Sequence, residues 1–349
     1  MSLFFVLSGF IIHYNYAATV KNFSARGLWD FFVARFSRLY PMFFLVLLYD
    51  VACGSFFLYA SETERMPYFE VLPYYLTLTQ SWFYGSVGTH PIGFAYHYSF
   101  VAWSISTEFF LYLTYPFINF LALRVTKVKP AALLALAICI VSTVLLAWLK
   151  SHLPTIDHWG TAIGVVENPN ADPGTRFSDW LNYVSPYTRV PEFMTGCMLA
   201  HLYMRASSTP TKIELIGVRV AVILALVDIG LFVIQDYVPV RWVGATGLLP
   251  ALAILIFCCA RYDIGFTRFL SGTTVVRLGE ASYSMYLLHL IIIEKSAPHD
   301  AGALYARKPN HLYSSHNLDS GDYGHHVFGI LSRRGGARPK MATCEASST

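Results

Sequence analysis

Charge is what this chain lacks. Only 13% of its 349 residues are Asp, Glu, Lys or Arg, where a soluble domain carries about 25%, so much of its surface must face something other than water. That excludes a soluble enzyme. The net charge of +4, from 25 Lys+Arg against 21 Asp+Glu, is too small and too dispersed to bind nucleic acid. Cysteine is scarce and unpatterned: Cys53, Cys139, Cys197, Cys258 and Cys259 sit in apolar stretches and Cys344 near the end, with no CxxC. Neither a disulfide frame nor a zinc site is expected, and no metal is required. The first residues lack a basic stretch and a cleavage site, so they do not read as a signal peptide.

What is abundant is apolar. Hydrophobic residues make up 55% of the chain, aromatics 16%, and the mean hydropathy is +0.47. A helix crossing a hydrocarbon core of about 30 Å needs roughly 20 apolar residues. Eight segments approach that length: 3–20, 39–60, 98–123, 131–149, 183–204, 218–234, 243–260 and 278–294. The pattern predicts an all-α, polytopic membrane helix bundle of about eight transmembrane helices in contact with lipid. Segment 67–84 is apolar but broken by Pro73 and rich in Tyr, Thr and Gln, and reads as re-entrant or surface-lying. Basic residues alternate between connections: Lys21, Arg26, Arg35 and Arg38, then Arg124, Lys127 and Lys129, then Arg205, Lys212 and Arg219, then Arg261, Arg268 and Arg277. By the positive-inside rule these lie in the cytoplasm and Met1 outside.

Several polar residues stand out against this background. Ser8-Gly9, inside the opening apolar helix, would let a neighbouring backbone approach closely. Arg35 and Arg38 precede Pro41, which suits a helix's first turn. The two arginines either enforce orientation or grip phosphate with their planar forked donors. Glu108, two to three turns inside a span, has nothing local to neutralise it, and an intramembrane ionisable group is functional by default. Its partner is an Arg or His from another helix, a water-filled cavity or a bound proton. Arg189 and Glu192 are spaced to pair with each other. Asp50, Asp228, His13 and His201 lack recognisable spacing and read as satisfied polar contacts. Ser282, Tyr286 and His289 form a polar stripe facing protein or a cavity. The 150–182 connection, with Trp159, Trp180, Asn168 and Asn170, reads as a packed lid or as a sugar-docking surface.

The order of the motifs is more specific than any one of them. LFFVLSGFII, RFSRLYP, WSISTEFFLYLTYP, RVPEFMTGCMLA and LGEASYSMYLLH together resemble the acyltransferase-3 family of bacterial inner-membrane proteins over residues 3–294. The resemblance implies a multi-pass inner-membrane enzyme. It moves an acyl group, acetyl from acetyl-CoA or another acyl-CoA, onto a hydroxyl of an extracytoplasmic glycan or related acceptor. It also implies that Arg35 and Arg38 hold the phosphates of CoA and that Glu108 is catalytic, orienting the acceptor hydroxyl or the base. Trp103, Ser104, Arg189, Glu192, Tyr283 and His289 would contact the substrate.

Two departures accompany it. Family members begin with a further helix carrying a histidine, the presumed base, which has no counterpart here; His13 does not match it. After Ile293 the composition turns to Gly, Ser, His and Arg, so 1–294 reads as the membrane domain and 295–349 as a polar tail, either disordered or frameshifted. A transporter or exporter of a polar solute or glycan is the competing reading. It is weakened by the lack of an internal repeat.

Overall fold

The computed structural model describes residues 1–53, 70–85, 93–99, 101–164, 176–206, 212–233, 248–262 and 265–296. Most of these residues are helical and none lies in a strand. Eight helices of 14 residues or more carry the fold: α1 (Ser2–Tyr16), α2 (Ala25–Cys53), α3 (Ala102–Leu123), α4 (Val128–Ser151), α5 (Pro186–Arg205), α6 (Lys212–Val233), α7 (Leu248–Arg261) and α8 (Thr273–Ser296). Each overlaps one of the eight apolar segments. Two stretches, Ala25–Ala52 and Val128–Ser151, are long and apolar enough to cross a bilayer by length and composition alone, and only 28% of each is buried in protein. Their outward faces, with Leu45, Leu133, Val141 and Val144 exposed, suit a surface covered by lipid. α3 has the length but carries Ser104, Ser106, Thr107 and Glu108 in its first turns, all buried.

α2 departs from expectation. It starts at Ala25, not near residue 39, because Ser24 accepts the Gly27 N–H at 3.1 Å and so satisfies one of the donors a helix start leaves open. The connection expected over 21–38 is therefore largely helix, and Pro41 lies inside α2 and not in its first turn. Arg35 and Arg38 are consequently three residues apart on one helical face. α5 is set up by more familiar signals: Ser185 caps it, accepting from the Tyr187 N–H at 3.3 Å, and Pro186 opens it.

α1 and α5 form the tightest seam. A Cβ on Gly9 would lie 2.1 Å from the Phe193 carbonyl oxygen, and one on Gly196 would lie 1.9 Å from that of Val6. The two backbones are in contact at both points, which only glycine permits, as the Ser8-Gly9 pair foretold. The re-entrant reading of 67–84 concerns residues described only from 70 onward. There a short helix, Leu72–Leu76, leads into a non-helical run packed on α3. Ser81 bonds Ser106 through both its N–H (3.1 Å) and its hydroxyl (2.8 Å), Gln80 donates to the Ala102 carbonyl, and Trp180 Nε1 donates to the Ser81 carbonyl. Irregular backbone at such a position is tolerable because protein satisfies its polar groups. Trp180 is thereby buried structure, Trp159 remains exposed, and Asn168 and Asn170 lie outside the described residues. So do the tail from 297 onward and the start of the 243–260 segment.

Candidate functional site

α1, α2, α3 and α8 line a cavity of about 700 Å³. Along α1 its wall runs from Met1 to Ile12, about 16 Å of axis at ~1.5 Å per residue, or roughly half a bilayer core. Three chemically distinct levels follow one another along it.

At one end are Arg35 and Arg38. Arg35 Nη2 donates to the Tyr16 hydroxyl at 2.7 Å, and its guanidinium sits over the Tyr16 ring, 4.6 Å from the centroid. Its Nε, though buried, has no partner among the described residues. Next to this pair, the Tyr283 hydroxyl donates to the Leu39 carbonyl at 2.6 Å, tying α8 to α2. Forked donors therefore remain available at this end.

In the middle is Glu108, 5% exposed. Its Oε1 accepts from the Ser8 hydroxyl at 3.1 Å and from the Tyr112 hydroxyl, while Oε2 has no partner among the described residues. Tyr112, four residues on and within reach on the same helical face, gives Glu108 a hydrogen bond but does not neutralise it. Among the described residues no cation is in ion-pair contact with it. It faces a cavity, one of the three arrangements expected.

At the far end the Ser104 and Tyr286 hydroxyls lie 2.9 Å apart. The cavity wall between the levels is apolar, with Phe4, Leu7 and Ile11 from α1.

Five of the residues expected at the site thus converge: Arg35, Arg38, Ser104, Glu108 and Tyr283. Four line no part of this cavity. Arg189 and Glu192 form a buried pair at 3.2 Å, and Arg189 also donates to the Asn182 and Tyr183 carbonyls, locking the turn before α5; Ser2 donates to Glu192 Oε1 at 2.8 Å. Trp103 packs on the Tyr183 ring at 4.9 Å. His289 Nδ1 lies against the Tyr286 carbonyl of its own helix. His13 and His201 bond each other at 3.1 Å in the core, the satisfied contact expected of them. Among the described residues no group of three His, Cys, Asp or Glu could hold a metal. Ser282 and Tyr286 of the polar stripe on α8 line the cavity, and the structure adds Ser8, Tyr112 and Glu280. Tyr112 was findable by its spacing from Glu108, whereas Ser8 and Glu280 reach the site only through tertiary packing.

Helices thus enclose a largely apolar cavity with cations at one level and a partly unpaired carboxylate at another. The chain belongs to the acyltransferase-3 family: residues 1–298 match its Acyltransferase domain. It is similar to the acyltransferase MdmB of Streptomyces mycarofaciens, 29% identical over 317 residues that cover 88% of this chain and 71% of the relative. No solved structure matches it. The protein is accordingly an acyltransferase, of a family of membrane proteins, and the transporter reading gives way to the enzyme.

Proposed function

We propose that the enzyme transfers an acyl group, acetyl from acetyl-CoA, to a hydroxyl of an extracytoplasmic glycan or related acceptor, as a multi-pass protein of the bacterial inner membrane. The observation that carries this reading is the stacking of the cavity's three levels. Arg35 and Arg38 hold the phosphates of CoA by charge-assisted, forked hydrogen bonds. The acceptor enters past Ser104 and Tyr286. The two meet at Glu108, whose free Oε2 takes the hydrogen of the acceptor hydroxyl.

The step balances without another reactant. The acceptor oxygen attacks the thioester carbonyl and gives its proton to Glu108. The C–S bond then breaks as the new C–O bond is kept, and the departing CoA thiolate takes that proton back. Trp103, Arg189, Glu192 and His289 support the site from outside the cavity: Trp103 and Arg189 both bear on Tyr183, and His289 lies against Tyr286.

In this reading each of the eight long helices belongs to a membrane span, α1 and α7 being shorter, at 15 and 14 residues, than the roughly 20 that a full crossing takes. The arginine end lies on the cytoplasmic side, where the positive-inside rule also puts the basic connections and where acyl-CoA is available. Residues 295–349 lie outside the catalytic domain.

The test is labelled acetyl-CoA supplied to bacterial membranes carrying the protein. Label is expected in the cell-envelope glycan, and Glu108→Ala is expected to abolish it while the protein still inserts. Unchanged acetyl content in that variant would contradict the role given to Glu108.

A further inference from the structure

The two oxygens of Glu108 are treated unequally. Oε1 receives two hydroxyls, from Ser8 on α1 and Tyr112 on α3, while Oε2 receives none among the described residues although it is buried. Neither hydroxyl has a second partner among the described residues. A buried acceptor left unmade is costly, so concentrating both donors on one oxygen is an arrangement that the fold maintains against that cost. Turning the carboxyl about its last bond would displace Oε1 and break both hydrogen bonds. Donors from two different helices fix its plane.

We propose that Ser8 and Tyr112 are positioning residues. They hold Glu108 by one oxygen so that the other faces the cavity, open to the acceptor hydroxyl. The proposal rests on the reading of Glu108 given above and adds what makes its geometry reproducible from one turnover to the next.

A double-mutant cycle tests it, with labelled acetyl-CoA as donor and the cell-envelope carbohydrate of the expressing bacterium as acceptor. Tyr112→Phe keeps the ring, which packs edge-on against Phe31, and removes only the hydroxyl. It is expected to lower kcat by about tenfold with KM for acetyl-CoA unchanged. Ser8→Ala is expected to do the same more weakly, and Ser8→Thr, which keeps the hydroxyl, to restore the rate. In a Glu108→Gln background Tyr112→Phe is expected to cost nothing further, since residues acting as one unit are not additive. Equal losses in both backgrounds, or an unchanged kcat in Tyr112→Phe, would overturn the proposal while leaving Glu108 its role. Full activity in Glu108→Gln alone would remove that role and the proposal together. Infrared spectroscopy of the solubilised protein gives a readout independent of turnover. The Glu108 carboxyl band is expected to shift in Tyr112→Phe and in Ser8→Ala, and a band unmoved in both would also overturn the proposal.

Discussion

Two of the cavities among the described residues have glutamate in their walls. The first, about 700 Å³ among α1, α2, α3 and α8, contains Glu108, with Glu280 also in its lining. The second, about 420 Å³ among α4, α5, α6 and α7, is lined by Ala132, Ala135, Leu199, Val218, Ala253, Phe257 and similar groups, with Glu214 at its edge. Glu214 is ion-paired: Arg261 Nη2 lies 3.0 Å from its Oε1 and the Tyr262 hydroxyl donates to the same atom at 2.6 Å. Glu108 has hydroxyls but, among the described residues, no paired cation, while the arginines of its cavity stand a level away with donors to spare. A glutamate beside a cavity in an apolar bundle is therefore not in itself a functional sign. What separates the two is whether the fold neutralises the carboxylate or leaves part of it for a substrate.

The contrast can be broken in four ways, in decreasing order of effect. Removing the cations of the polar cavity, Arg35→Ala or Arg38→Ala, should raise KM for acetyl-CoA by about 10- to 100-fold each, the worth of a lost charge-assisted bond of ~1.5–3 kcal/mol; labelled transfer at graded donor concentrations measures it. At the seam between the two regions, Gly196→Ala should destabilise the protein by about 1–3 kcal/mol, because the new methyl meets the Val6 carbonyl. A lower melting temperature in detergent is the expected signature, and Gly9→Ala should act alike against Phe193.

The two cavities also permit a matched substitution. Gly279 lines the polar one and Gly217 the apolar one, and a Cβ on either would meet nothing within 4 Å. Gly279→Phe should cut transfer by about tenfold, ~1.4 kcal/mol of lost binding, while Gly217→Phe leaves the rate unchanged. Smallest of all, Arg261→Ala should cost about 1 kcal/mol of stability or less, since Glu214 is a third exposed and water can replace its partner. Transfer should be unaffected.

The same contrast explains what could be read from the sequence. Helix positions were legible because a bilayer demands long apolar runs, and Gly9 was legible because a Ser-Gly pair in such a run has few uses besides close packing. Glu108 was legible because charge in that setting is expensive. The true start of α2 was hidden from hydropathy, since its first turns are polar and the Ser24 cap announces them only through one hydrogen bond. Arg189, Glu192 and His289 looked like Glu108 in one dimension, as polar groups near or within spans. Only packing distinguishes the pair locked onto the Tyr183 turn, and the histidine turned toward its own helix, from residues lining the cavity. Likewise Ser8 reads as a packing residue from its neighbours in sequence, and its bond to a carboxylate 100 residues away exists only in the folded chain.

The central claim, that acyl transfer takes place where the carboxylate is left partly unpaired, is tested most directly by replacing the two glutamates in parallel. Glu108→Gln and Glu214→Gln each remove one carboxylate at nearly constant volume, and transfer of labelled acetyl groups to the cell-envelope glycan is measured at matched amounts of inserted protein. The account predicts a loss of about 10²- to 10⁴-fold for Glu108→Gln and a rate within about twofold of the parent for Glu214→Gln. Equal rates in the two variants, or a loss confined to Glu214→Gln, would contradict it.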